Sequence, residues 1–167
     1  TLTTGLGYSL FIRGNVDPIL SAGSALWSVR NAINSGTVNF PVTFTSSGNA
    51  ANDGWNLVGN PYPSTIDWNA SSGWTKTNLS ATIYITDNGD NPSVLSTWNG
   101  TTGTNGGSRY IALGQAFWVQ ASSSSPALST NENVKAGGTQ TTFFREKGIS
   151  DLLRITLVKG IARDESV

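Results

Sequence analysis

The chain has 167 residues with ten basic and ten acidic side chains, and it contains neither Cys nor His. Those two absences exclude Cys/His zinc sites, thiolate catalysis, a Ser-His-Asp triad and any disulfide framework. A formal net charge of zero leaves no electrostatic footprint for nucleic acid or for anionic lipid.

Charged residues form only 12% of the chain, against roughly 25% in an ordinary globular domain, and polar residues with 19 Gly take their place. Six Trp, six Phe and four Tyr argue against disorder, which goes with few aromatics.

Along the chain, Tyr8, Leu10 and Ile12 alternate with Ser9, Phe11 and Arg13, which predicts a strand. A short helix candidate spans 24–33. Val38, Phe40, Val42 and Phe44 alternate with polar residues and Pro41, so a half-buried strand is expected there. Proline cannot donate to a ladder, which places that strand at a sheet edge or bulge. Further strands are expected at 55–58, 81–86, 94–98, 115–121, 141–145 and 152–158, with turn clusters at 46–53, 59–64, 87–93 and 99–107.

This grammar predicts an all-β fold: a jelly-roll-like β-sandwich of short antiparallel strands with loops rich in Gly, Asn, Ser and Thr. No run of 18 apolar residues exists, so no transmembrane helix or membrane insertion is expected. Residues 1–167 read as a single module cut from a larger protein. Its charged end, 145–167, reads as a last strand followed by a tail. Leu6–Ile12 echoes Leu113–Val119 at an offset of 107, and later segments keep the same order. A duplication would make the chain part of a two-lobed unit.

The stretch Gly54-Trp55-Asn56-Leu57-Val58-Gly59-Asn60-Pro61-Tyr62-Pro63-Ser64-Thr65-Ile66-Asp67-Trp68 resembles the "GWNLVGNPYPSxIDW" region of large secreted and cell-surface proteins of Bacteroidetes. Its companions follow in order: Ile83-Tyr84-Ile85, Trp98-Asn99-Gly100, the run Ile111–Ala121, Phe143-Phe144-Arg145 and the strand at 152–157. The resemblance covers nearly the whole chain. It implies a secreted or cell-surface location within a multi-modular client of type IX secretion, whose sorting domain is not in this sequence. It implies no particular activity.

Four features carry candidate chemistry. In the segment at 59–64, the X-Pro pairs push Asn60 and Tyr62 into extended conformations, and Gly59 can supply a positive φ. A rigid corner results, with a cis bond most plausible at Tyr62-Pro63. Tyr62 then either packs on the sheet or stands out with Asn60 as a ligand platform.

Trp68, Trp74 and Trp98 lie in polar, loop-like surroundings and suit stacking on sugar rings, with Asp67 bonding hydroxyls; the alternative is that each plugs an end of the sandwich. Trp55 and Trp118 lie in apolar strand patterns and are expected in the core. Asp87 and Asp90, in Asp-Asn-Gly-Asp-Asn, suit either calcium ligation or an ordinary hairpin turn, and no other cofactor is implied. Paired carboxylates for glycoside hydrolysis are the catalytic route left open, but Asp53, Asp67, Asp87 and Asp90 show no distinguishing context. The expected function is non-catalytic structure or adhesion at a bacterial surface, with carbohydrate binding through the loop tryptophans as the alternative. Expected partners are polysaccharide or neighbouring modules.

Overall fold

A computed structural model describes residues 2–10, 32–86 and 94–137, together with two strands at 155–159 and 162–166. One compact unit comprises Thr1–Tyr8 and Ile33–Arg145, and a second comprises Ser9–Ala32 and Glu146–Val167.

In the first unit the described strands are β1 (Val38–Phe40), β2 (Trp55–Gly59), β3 (Ile66–Asp67), β4 (Trp74–Thr77), β5 (Leu79–Thr86), β6 (Leu95–Trp98), β7 (Gly103–Thr104), β8 (Tyr110–Ile111), β9 (Ala116–Ala121) and β10 (Ala127–Thr130). They form a five-stranded sheet in the order β2-β9-β5-β6-β7, a three-stranded sheet β1-β10-β4 and a pair β3-β8. All pairings are antiparallel. The fold is therefore all-β and sandwich-like.

Period-2 alternation decides which side chains meet between the sheets. In β9, Phe117, Val119 and Ala121 are buried, while Ala116, Trp118 and Gln120 face outward and are half-buried. Val58 of β2 and Ile83 and Ile85 of β5 join the buried row. The three-stranded sheet adds Val38, Phe40 and Leu128, and Ile66 and Ile111 arrive from the β3-β8 pair. Fully burying each such aliphatic side chain contributes roughly 1.5–3 kcal/mol, before the opposing chain entropy.

The strands expected at 55–58, 81–86, 94–98 and 115–121 are β2, β5, β6 and β9. The one expected from Val38 to Phe44 stops at Phe40, just before Pro41, and β1 is an outer strand of its sheet as the proline requires. Tyr8, Ser9 and Leu10 are not in a strand. The rest of that expected strand, the helix candidate up to residue 31 and the strand at 141–145 lie outside the described residues.

In the second unit, β11 (Ile155–Lys159) pairs antiparallel with β12 (Ala162–Ser166). Two described strands thus stand in the charged end, where a last strand followed by a tail is expected.

The edge of β2 is closed by the start of the chain. Gly7 N donates to Leu57 O at 3.0 Å, Gly59 N donates to Gly5 O at 3.1 Å, and Leu6 bridges Val58. A Cβ on Gly7 would stand 2.6 Å from Leu57 Cγ, so only glycine allows this approach. The two echoing segments therefore flank β2, Leu6-Gly7 on one side and β9 on the other.

Gly54, not Gly59, supplies the positive φ beside β2, at +70°. There Ala121 N donates to Gly54 O at 2.7 Å, and a Cβ on Gly54 would fall 2.1 Å from Ala121 O. Gly48 shares a positive φ of +82° but would project its Cβ into open space. Gly54→Ala is expected to lower stability by several kcal/mol, whereas Gly48→Ala costs only the left-handed backbone strain of about 1 kcal/mol. Urea midpoints of the two variants measure the difference.

Candidate functional site

The residues singled out from the sequence converge, but inside the fold. Asn60 leaves β2 and clasps the corner that follows. Its Nδ2 donates to Ser64 O, Ile111 O and Ala112 O at 2.7, 3.2 and 3.0 Å, and its Oδ1 accepts from Tyr62 N at 3.0 Å. Tyr62 is 1% exposed and its hydroxyl donates to Gly36 O at 2.6 Å. Burial, then the charge of Glu132, raises its phenol pKa. The corner is structural, with no cis peptide among the described residues, so the expected cis bond is corrected. Neither Asn60 nor Tyr62 is offered to a ligand.

Trp68 overturns the loop-surface expectation more completely. It is 1% exposed and is the largest fully buried side chain among the described residues. Its ring meets Trp74 edge-on at 4.9 Å and Phe117 at 5.9 Å, and its Nε1 donates to Ala81 O of β5 at 2.8 Å. Trp74 is partly buried against the core, stacks near Phe40, and donates through Nε1 to Asp67 O at 2.8 Å. Trp98 is also partly buried and donates to Asn69 Oδ1 at 3.0 Å. The three tryptophans assemble around residues 67–69 but form no stacking surface. Two of the polar neighbours that suggest exposure are acceptors instead: Asp67 O for Trp74 and Asn69 Oδ1 for Trp98.

Asp67 is held as well. Arg109 reaches it with Nε at 2.6 Å from Oδ1 and Nη2 at 2.5 Å from Oδ2, and Asn69 N donates to Oδ1 at 2.8 Å. Beside this pair opens a polar cleft of about 340 Å³, lined among others by Asn69, Ser71, Tyr110, Asn133 and Lys135. Lys135 is itself paired with Glu132. Among the described residues Asp67 is the one carboxylate lining the cleft, and the acid–base work of glycoside hydrolysis needs two. Asp53, a second candidate, accepts from Ser47 N at 2.5 Å and from Ser47 Oγ at 2.7 Å, and these bonds hold its carboxyl below the usual range. Asp87 and Asp90, the calcium candidates, lie outside the described residues.

One charged residue points where an apolar one is expected. Lys76 of β4 stands opposite Leu128, which stands opposite Phe40, so it shares their inward rung on an outer strand of the sheet. The residue as a whole stays exposed, but its ammonium lies 3.6 Å from the Trp68 ring centroid and 5.2 Å from that of Trp74. Nζ donates to Trp68 O at 2.5 Å. Desolvation lowers the Lys76 pKa to about 8, with Asp67 opposing the shift.

The tryptophans assigned to the core are instead partly open. Trp55 and Trp118 are half-buried on the outer face of the five-stranded sheet. Leu57, Trp118 and Tyr84 lie directly opposite one another across β2, β9 and β5, and Trp55 meets Tyr84 edge-on at 5.0 Å. Alternation could have shown that one of the two rows in β9 must face outward. It could not say which, because both rows are apolar.

Set beside known proteins the chain finds no counterpart: no family model matches it, no curated protein matches its sequence, and no solved structure matches its fold.

Trp68→Ala should lower stability by about 3–5 kcal/mol through the cavity it leaves, read from denaturant unfolding. Lys76 binds its proton less tightly folded, with a pKa of about 8, than at its ordinary 10.5. The folded chain therefore carries fewer protons between those values, and the Lys76 contribution rises with pH across that window and is lost as pH falls through about 8. Melting temperatures of the parent chain and Lys76→Met should accordingly differ in slope above pH 8, the parent gaining more.

Proposed function

We propose that this chain is a non-catalytic, extracellular structural and adhesive module of a bacterial surface protein. The observation that carries the reading is the use the fold makes of its most distinctive segment. Asn60, Tyr62, Asp67 and Trp68, the chemistry-bearing residues of the stretch 54–68, all bond or pack within the chain. Such a segment serves as a folding signature, and a signature of fold is what modules in unrelated surface proteins would share. The resemblance to secreted Bacteroidetes proteins supplies the location. The capture of Asp67 by Arg109 supports the absence of acid–base chemistry in the cleft.

Antibody raised against the chain should label intact, unpermeabilised cells of the source bacterium, and protease shaving should remove the signal. Labelling that requires lysis overturns the surface placement. The purified chain should release no chromophore from a panel of aryl glycosides; turnover that disappears in Asp67→Asn overturns the non-catalytic reading.

A further inference from the structure

The outer face of the five-stranded sheet combines three properties found together nowhere else among the described residues. The first is an aromatic row on adjacent strands. Trp118 stands between Leu57 and Tyr84, with Trp55 against Tyr84, and each ring is half-buried rather than covered. Strand spacing sets the row's repeat at about 4.8 Å across the sheet.

The second is neutrality: none of the five strands contains an Asp, Glu, Lys or Arg. The third is an open donor. The indole N–H groups of Trp55, Trp68, Trp74 and Trp98 all donate within the chain, at 2.8–3.0 Å. Among the described residues, the Trp118 indole N–H and the Tyr84 hydroxyl make no such bond. The same rung continues into the hydroxyls of Thr97 and Thr104, which bond each other at 2.6 Å.

We infer that this face binds a neutral polysaccharide, with Trp118 and Tyr84 as its centre. A pyranose ring presents C–H groups on its faces, which pack on aromatic side chains, and hydroxyls at its rim, which accept from an indole N–H and exchange bonds with Thr hydroxyls. The face supplies both kinds of contact in one line and has no charge to desolvate or repel.

A protein partner fits less well. A stable interface buries about 800 Å² on each side around an apolar centre, and four half-buried apolar side chains fall short of that. An anionic polymer would find no cation on these strands. The inference rests on the adhesive reading and names the surface to which the module adheres, on residues other than the loop tryptophans.

The test is native electrophoresis of the whole chain through gels containing hydroxyethylcellulose, galactomannan or xyloglucan, with alginate as the anionic comparison. At least one neutral gel should retard the chain, independently of added salt. Trp118→Ala should weaken retardation about tenfold. Trp118→Phe, which keeps an aromatic ring and loses the donor, should weaken it a few-fold, with an unchanged circular dichroism spectrum. Lys135→Ala in the polar cleft should leave it unchanged.

No retardation in any neutral gel overturns the proposal, as does equal retardation of Trp118→Ala or retardation by alginate alone. So does a concentration-dependent dimer in sedimentation that Trp118→Ala abolishes, since the face would then be occupied by a second copy. Labelling of intact cells is independent of all these outcomes, so a failed binding test leaves the surface placement standing.

Discussion

The first unit is organised around the need to keep Trp68 dry while giving its indole N–H an acceptor. A buried ring of that size contributes most of its stabilisation only if no polar atom is left unpaired, because an orphaned donor costs about 1–3 kcal/mol. The chain solves this by driving Trp68 across the sandwich onto Ala81 O of the five-stranded sheet. Around that one insertion the other layers attach: Trp74 bonds to Asp67 O, Lys76 to Trp68 O, Trp98 to Asn69 and Arg109 to Asp67. Four consecutive residues, 66–69, thus join both sheets and the β3-β8 pair.

Seen from this point, the run from Asn60 to Trp68 works as a strap. Asn60 turns the chain out of β2 by bonding three carbonyls, Tyr62 fastens the corner to Gly36, and Ile66 enters the core as the chain pairs with β8. The two prolines stiffen the passage, so little backbone entropy remains to be lost there on folding. The side chains of Asn60, Tyr62, Asp67 and Trp68 are thereby engaged by contacts within the chain.

Most of the architecture was legible in the sequence wherever burial is one-sided and strands are long enough to show it. The segments at 55–58, 81–86, 94–98 and 115–121 advertise themselves by alternation and by the turn residues between them, and Pro41 marked an outer strand correctly. The strands β3, β4, β7, β8 and β10 were not legible. They are two to four residues long, and β4 reads Trp-Thr-Lys-Thr, a polar sequence whose inward row becomes visible only opposite Leu128 and Thr130.

The site residues escape the sequence for a related reason. Polar neighbours suggest that Trp68, Trp74 and Trp98 face water, but Asp67 and Asn69 accept from two of those indoles. Apolar neighbours suggest that Trp55 and Trp118 are buried, but each occupies the outward row of its strand. Local composition reports the average surroundings of a segment; the direction of a single side chain depends on the phase of the pleat.

Lys76 has a consequence beyond its own titration. β4 is an outer strand, and an outer strand offers a row of unpaired amides and carbonyls that any extended chain could extend. A second strand pairing there in register would have to close over an ammonium already lodged against two indoles, and would strip away its remaining water. Among the described residues Lys76 thus puts an inward-pointing charge on the outer strand of this sheet, a feature that disfavours edge-to-edge pairing.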